Sequence, residues 1–163
     1  MIPDCSIPTG APSQDGAPVV FPRRQVVFDT NVLLSLFVFA ESRFAPLRVR
    51  VESGEWVAYS SEACLVEYRR VLAYPIFKLD AIAQERAFSA WQGLLAWAPP
   101  LPASCTELPR CSDRDDQKFL ELARDTGADW LVTADKALLK LTRRDKLRGL
   151  FRILTPEAAL AEL

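Results

Sequence analysis

The chain has 163 residues, enough for one domain with a single core. Half of them are apolar and a quarter charged, and the formal net charge is −1, so no basic excess marks a protein that holds nucleic acid by bulk charge alone. There is no histidine, which excludes Ser-His-Asp and Cys-His catalysis and removes the commonest zinc ligand.

Residues 1–24 place Pro3, Pro8, Pro12, Pro18 and Pro22 among Gly, Ser and Asp and read as a flexible tail; the domain proper runs over 25–163. Gln25-Val26-Val27-Phe28 is a strand-forming run that stops at Asp29-Thr30-Asn31. A second apolar run, Val32 to Phe39, then reads as the start of a helix. Arg43 to Glu52 reads as a helix ended by Gly54. Trp56 to Tyr59 is the next strand, after which Ser60 or Ser61 caps a helix to about Leu72, and Pro75 breaks it.

Asp80 opens a longer helix expected through Trp97 and closed by Pro99-Pro100. Its apolar stripe, Ile82, Phe88, Trp91, Leu94 and Leu95, reads as core or dimer surface. After a linker, Asp113 to Thr126 reads as a helix with acids in its first turn and Gly127 past its end. Trp130 to Thr133 is a strand, Asp135 opens a short helix to Leu141, and Arg143 to Arg148 is a basic loop. Phe151 to Leu154 is the last strand, and Thr155-Pro156-Glu157 starts a terminal helix.

Strands alternating with helices argue for an α/β fold with a mainly parallel central sheet. Right-handed crossovers then bring every strand's carboxyl end to one edge, where ligands bind. Cys5, Cys64, Cys105 and Cys111 make no CxxC pair, and no secretory signal is visible. A cytoplasmic protein with reduced thiols is expected. No apolar run is long enough for a membrane-spanning helix, so no membrane contact is expected.

Four acids fall where that edge should be. Asp29 follows the first strand and Asp135 follows the Trp130 strand. Asp116 lies in the first turn of the preceding helix, and Glu67 is mid-helix after the Trp56 strand. Each also has an ordinary role open to it. Asp29 and Asp135 can cap helices, Asp116 can favour a helix dipole, and Glu67 can pair with Arg70. Asn31 can orient a carboxylate or simply stabilise a turn. Thr133 can support Asp135 or serve only as a β-branched strand residue. Lys136, Arg143 and Arg144 can meet a phosphate backbone, although for the two arginines a solvated surface is the simpler reading.

The motifs resemble those of PIN domains. Val26-Val27-Phe28-Asp29-Thr30-Asn31 is similar to the opening motif, and Ser61 to Leu72 resembles the second, with its glutamate at Glu67. Cys111 to Ala123 resembles the third, and Asp129 to Lys136 the fourth. The likeness implies a three-layer α/β/α fold. It is greatest to bacterial PIN proteins grouped as toxins of toxin–antitoxin pairs, which implies a ribonuclease dependent on Mg2+ or Mn2+, a homodimer and an antitoxin partner. Relatives usually carry proline where Arg114 stands, so Asp113, Asp115 and Asp116 compete for one role. The offsets to Phe119 and Ala123 favour Asp116, leaving Asp113 as a helix cap and Asp115 on the substrate side.

Clustered carboxylates repel one another unless protonated or bridged by a cation, and hard divalent ions prefer oxygen ligands. Asp29 and Asp116 are the expected direct ligands, with Glu67 and Asp135 bound directly or through water, for one metal ion or two. The rival readings are a receiver-type phospho-acceptor domain and a PIN-like binding module without catalysis. Asp29 lacks the acidic neighbour that a receiver needs, and the presence of all four acids counts against lost catalysis.

Overall fold

The run Arg24–Phe28 forms strand β1, whose successive side chains enter two different cores. Val26 and Phe28 pack on one face and Val27 on the other. A strand buried on both faces belongs inside a parallel sheet, and the computed structural model puts it there. The structure describes residues 23–97 and 106–163. One helical turn follows, α1 (Thr30–Leu33), continued by a wider π-helical segment over Leu34–Val38. Next come α2 (Ala45–Glu52), β2 (Trp56–Ser60), α3 (Glu62–Leu72) and α4 (Ala81–Gln92). The order is completed by β3 (Leu95–Trp97), α5 (Gln117–Thr126), β4 (Trp130–Val132), α6 (Lys136–Leu139), β5 (Arg152–Leu154) and α7 (Pro156–Ala161).

The strands are all parallel, in the order β3-β2-β1-β4-β5. The chain builds outward from β1 to β3, then returns to the other side of β1 for β4 and β5. At such a reversal, neighbouring crossovers leave on opposite faces and open a crevice at the carboxyl edge. Phe28 lies beside Val132, and Val132 beside Leu154. The Asp29 N–H donates to the Val132 carbonyl at 3.1 Å, and the Thr133 N–H to the Leu154 carbonyl at 2.9 Å. The residues just past β1 and β4 are thereby pinned side by side.

Two apolar layers flank the sheet. Val26, Phe28, Trp56, Ala58, Trp130 and Val132 meet Leu47, Tyr68, Trp91 and Ala159 from α2, α3, α4 and α7. Val27, Leu131 and Ile153 meet Phe119, Leu120 and Leu138 from α5 and α6. Each large apolar side chain so buried contributes about 1.5–3 kcal/mol relative to exposure. The parallel α/β sheet expected from the alternation is thus present, in the three-layer α/β/α arrangement that the resemblance implied.

Three expectations need correction. Helix α4 stops at Gln92, and Leu95–Trp97 forms the edge strand β3, with Leu95 paired to Ala58 and Trp97 to Ser60. The helical spacing of Leu94 and Leu95 gave way because a free sheet edge satisfies the backbone better there. Ile82, read as part of the apolar stripe, is instead exposed. Helix α5 begins at Gln117 rather than Asp113, and residues before it make turns. The remaining boundaries agree to within a residue or two, and Ser61 rather than Ser60 caps α3, accepting from the Cys64 N–H. Residues 1–22 of the expected tail, and the expected Pro99-Pro100 stop, lie outside the described residues; Arg24 already belongs to β1. Among the described residues no helix is long and apolar enough to cross a membrane.

Candidate active site

Asp29 ends β1 and opens α1, and only 3% of it is exposed. One of its oxygens accepts the Val32 N–H at 2.9 Å, and the other accepts the Thr133 hydroxyl. That hydroxyl oxygen in turn accepts the Asp135 N–H at 2.9 Å. Thr133, fully buried, thus ties the two strand-end acids into one unit. Asp135 caps α6 through a single oxygen, which accepts the Ala137 and Leu138 N–H groups at 2.6 and 3.2 Å. The capping and site readings are therefore compatible, because a carboxylate has lone pairs to spare after capping.

Asp116 immediately precedes α5, half-buried, and its carboxylate makes no capping bond. Burial and the charges of Asp135, Asp113, Asp29 and Glu67 push its carboxyl up to about 6. Asp29 is also pushed up to about 6, by burial first and with a contribution from Asp135, against the hydrogen bonds from Thr133 and Val32. The acids singled out in the sequence therefore share one electrostatic neighbourhood. Asp113 does not cap the helix; its carboxylate accepts the Asp115 N–H at 2.9 Å and closes a turn ahead of it. Asp115 is exposed.

Glu67 is held at both oxygens. One accepts the Thr30 hydroxyl at 2.5 Å, and the other accepts the Lys118 ammonium, which also donates to the Asp115 carbonyl. Lys118 and Thr30 were not anticipated from sequence. The only signal was a lysine on the helical part of an acidic motif that also holds Arg114, and a hydroxyl beside Asp29. Asn31 and Lys136 are exposed, and the Asn31 side chain makes no hydrogen bond among the described residues. Cys64 and Cys111 are free and buried, and burial pushes both thiols up, so neither is an activated nucleophile.

Among the described residues no three acidic or thiol side chains converge closely enough to cage a metal ion. The donor set nevertheless fits a hard, water-rich cation. Magnesium needs only one or two direct carboxylates and keeps several waters. Asp116 is a half-buried carboxylate that no donor among the described residues satisfies; burial and the charges of other acids push it up. The charges of Asp29 and Asp135 act on it, and Glu67 already has its own cation in Lys118. The family profile described as PIN domain matches residues 25–137, a span that includes all four acids. No curated protein matches the chain.

Proposed function

Because the chain belongs to the PIN-domain family, whose members are generally nucleases, we propose that it is an endoribonuclease dependent on Mg2+ or Mn2+. The observation that carries this reading is the unsatisfied Asp116 carboxylate set among other acids at the β1/β4 crevice. Asp29 and Asp116 are the direct ligands in this reading, and Asp135 completes the site directly or through water. Held by these carboxylates, a divalent ion would supply activation of water for attack on a phosphodiester and charge stabilisation of the leaving oxygen.

The chain's own residues set the geometry. Thr133 fixes the Asp29 carboxylate and the backbone of Asp135. Thr30 and Lys118 hold Glu67 at the rim, where it orients water. Asn31, Asp115 and Lys136, all exposed, face incoming substrate. By resemblance to bacterial toxins of toxin–antitoxin pairs, the proposal extends to a cytoplasmic homodimer restrained by an antitoxin protein. Finding a small antitoxin-like reading frame beside the gene would support that extension, and its absence would count against it.

The test is cleavage of single-stranded and structured RNA by the purified full chain. Cleavage is expected with either metal ion and is lost with EDTA, in Asp29→Asn and in Asp116→Asn. Cutting that survives EDTA removes the metal mechanism. A folded parent that cuts no RNA removes the nuclease reading.

A further inference from the structure

The net charge of −1 conceals an uneven distribution. Between Lys136 and Arg152 the only acid is Asp145. The surface built by this segment is a row of concavities that share walls. A cleft of about 840 Å³ beside the third acidic motif is lined by Arg110, Arg114 and Gln117 together with Lys146 and the acids Glu107 and Glu121. Arg110 also lines the next hollow together with Arg144. Arg144 and Arg143 line a third, and Arg143 lines a fourth with Lys140 and Lys136. Arg114 is next to Asp113 and Asp115, and Lys136 is next to Asp135. The row therefore begins and ends beside the acidic cluster.

These six cations do no structural work that would explain them. Neighbouring Lys146, Arg148 and Arg152 are paired with Glu107, Asp145 and Glu162. Arg110, Arg114, Lys136, Lys140, Arg143 and Arg144 are exposed, and none forms an ion pair or stacks on an aromatic ring among the described residues. Glu107 senses Arg110, but its carboxylate is bound by Lys146. Unneutralised like charges along one surface repel one another and disfavour the compact state. A polyanion is the chemistry that removes this repulsion. An acidic catalytic crevice also repels phosphate, so a substrate needs cations beside it to stay bound.

We infer that this row is the track for a single RNA strand, with Arg110, Arg143 and Arg144 on its phosphates and Lys136 and Arg114 at the two approaches to the acids. The inference rests on the nuclease reading above and adds the binding surface to it.

The experiment measures binding apart from cutting. The full chain carrying Asp29→Asn, in EDTA, is titrated into a labelled single-stranded RNA over a salt series and followed by fluorescence anisotropy. Arg110→Ser/Arg143→Ser/Arg144→Ser in the same background is compared with a triple of equal charge change away from the row, Arg48→Ser/Arg50→Ser/Arg69→Ser. Each phosphate contact contributes about −0.7 to the slope of log K against log salt for single strands, so the row triple should lower that slope by about 2. It should also weaken binding at least tenfold at low salt, with the control triple unchanged. An unchanged slope in the row triple overturns the inference. Equal loss in both triples also overturns it, because bulk charge would then suffice. So does a row triple that releases polyglutamate but still holds RNA, which would mark the surface as one for an acidic protein. A parent that binds through the row yet cuts nothing with Mg2+ or Mn2+ refutes the nuclease reading and leaves the track standing.

Discussion

Asp29→Asn tests whether the acid at the end of β1 is kept for chemistry rather than for stability. Its carboxyl sits near 6 in the fold against an ordinary 3.8. A raised value means that folding favours the protonated form. Its contribution is complete below the ordinary value, declines as pH rises through the window between the two, and is gone above about 6. At neutral pH the ionised group is therefore less favourable than a neutral isostere by about 3 kcal/mol, taking 1.36 kcal/mol per unit. Asparagine fits the same space and keeps the acceptor for the Val32 N–H. Its amide must donate to the Thr133 oxygen, which strands the hydroxyl proton and costs about 1 kcal/mol. The expected net gain of roughly 1–2 kcal/mol raises the melting temperature by about 2–8 °C in EDTA near pH 7.5. Near pH 4 the gain should vanish or reverse. Thermal unfolding at both values decides. A variant that melts lower than the parent at neutral pH, or gains equally in acid, would refute the claim that burial penalises this carboxylate.

Two further expectations follow from the same cluster. The metal-free parent should lose stability between about pH 4 and pH 6.5, because Asp29 and Asp116 are both raised into that window, and millimolar Mg2+ should flatten the loss by binding the ionised forms; a melting profile with the same slope with and without metal would contradict this. Lys118→Met leaves Glu67, whose side chain is 13% exposed, without its cation, and should cost about 1–3 kcal/mol in urea unfolding, most of it recovered in Lys118→Met/Glu67→Gln; additive losses would show that the pair is not coupled.

Much of this centre was legible because it is built from local features. Val26-Val27-Phe28 is a doubly buried run, and the polar stop after it is forced by the end of the sheet, so Asp29 was found from the strand itself. Asp135 follows by the same logic from Trp130-Leu131-Val132. Glu67 and Asp116 needed the family motifs, because no local pattern says that α3 and the turn before α5 lean over one edge. Position β3 was lost because Leu95 satisfies a helical stripe and a strand equally, and only the unpaired edge of β2 decides between them. Lys118 and Thr30 were hidden for a related reason. They meet Glu67 across 51 and 37 residues of sequence, and no periodicity reports such contacts. For Arg143 and Arg144 the solvated reading was the simpler one, and only the shared hollows argue otherwise.

The geometry also reorders the acids. In the sequence Asp29 is the firmest member of the set and Asp116 the least certain in position. In the fold Asp29 is committed at both oxygens to protein donors, and Asp135 at one. Glu67 is committed at both, to a hydroxyl and an ammonium. Among the described residues, Asp116 is the one of the four acids without a donor; it is half-buried, raised by the charges of other acids, and makes no capping bond to the helix it precedes. A carboxylate in that position is stable only when protonated or when a cation shares it. The fold supplies a cation to Glu67 and backbone donors to Asp29 and Asp135, and leaves Asp116 to be satisfied from solution. The demand for an external ion is therefore greatest at the acid that local sequence patterns defined least well; in the proposed site Asp29 and Asp135 share that ion through lone pairs their protein donors leave free, and Glu67 holds the rim.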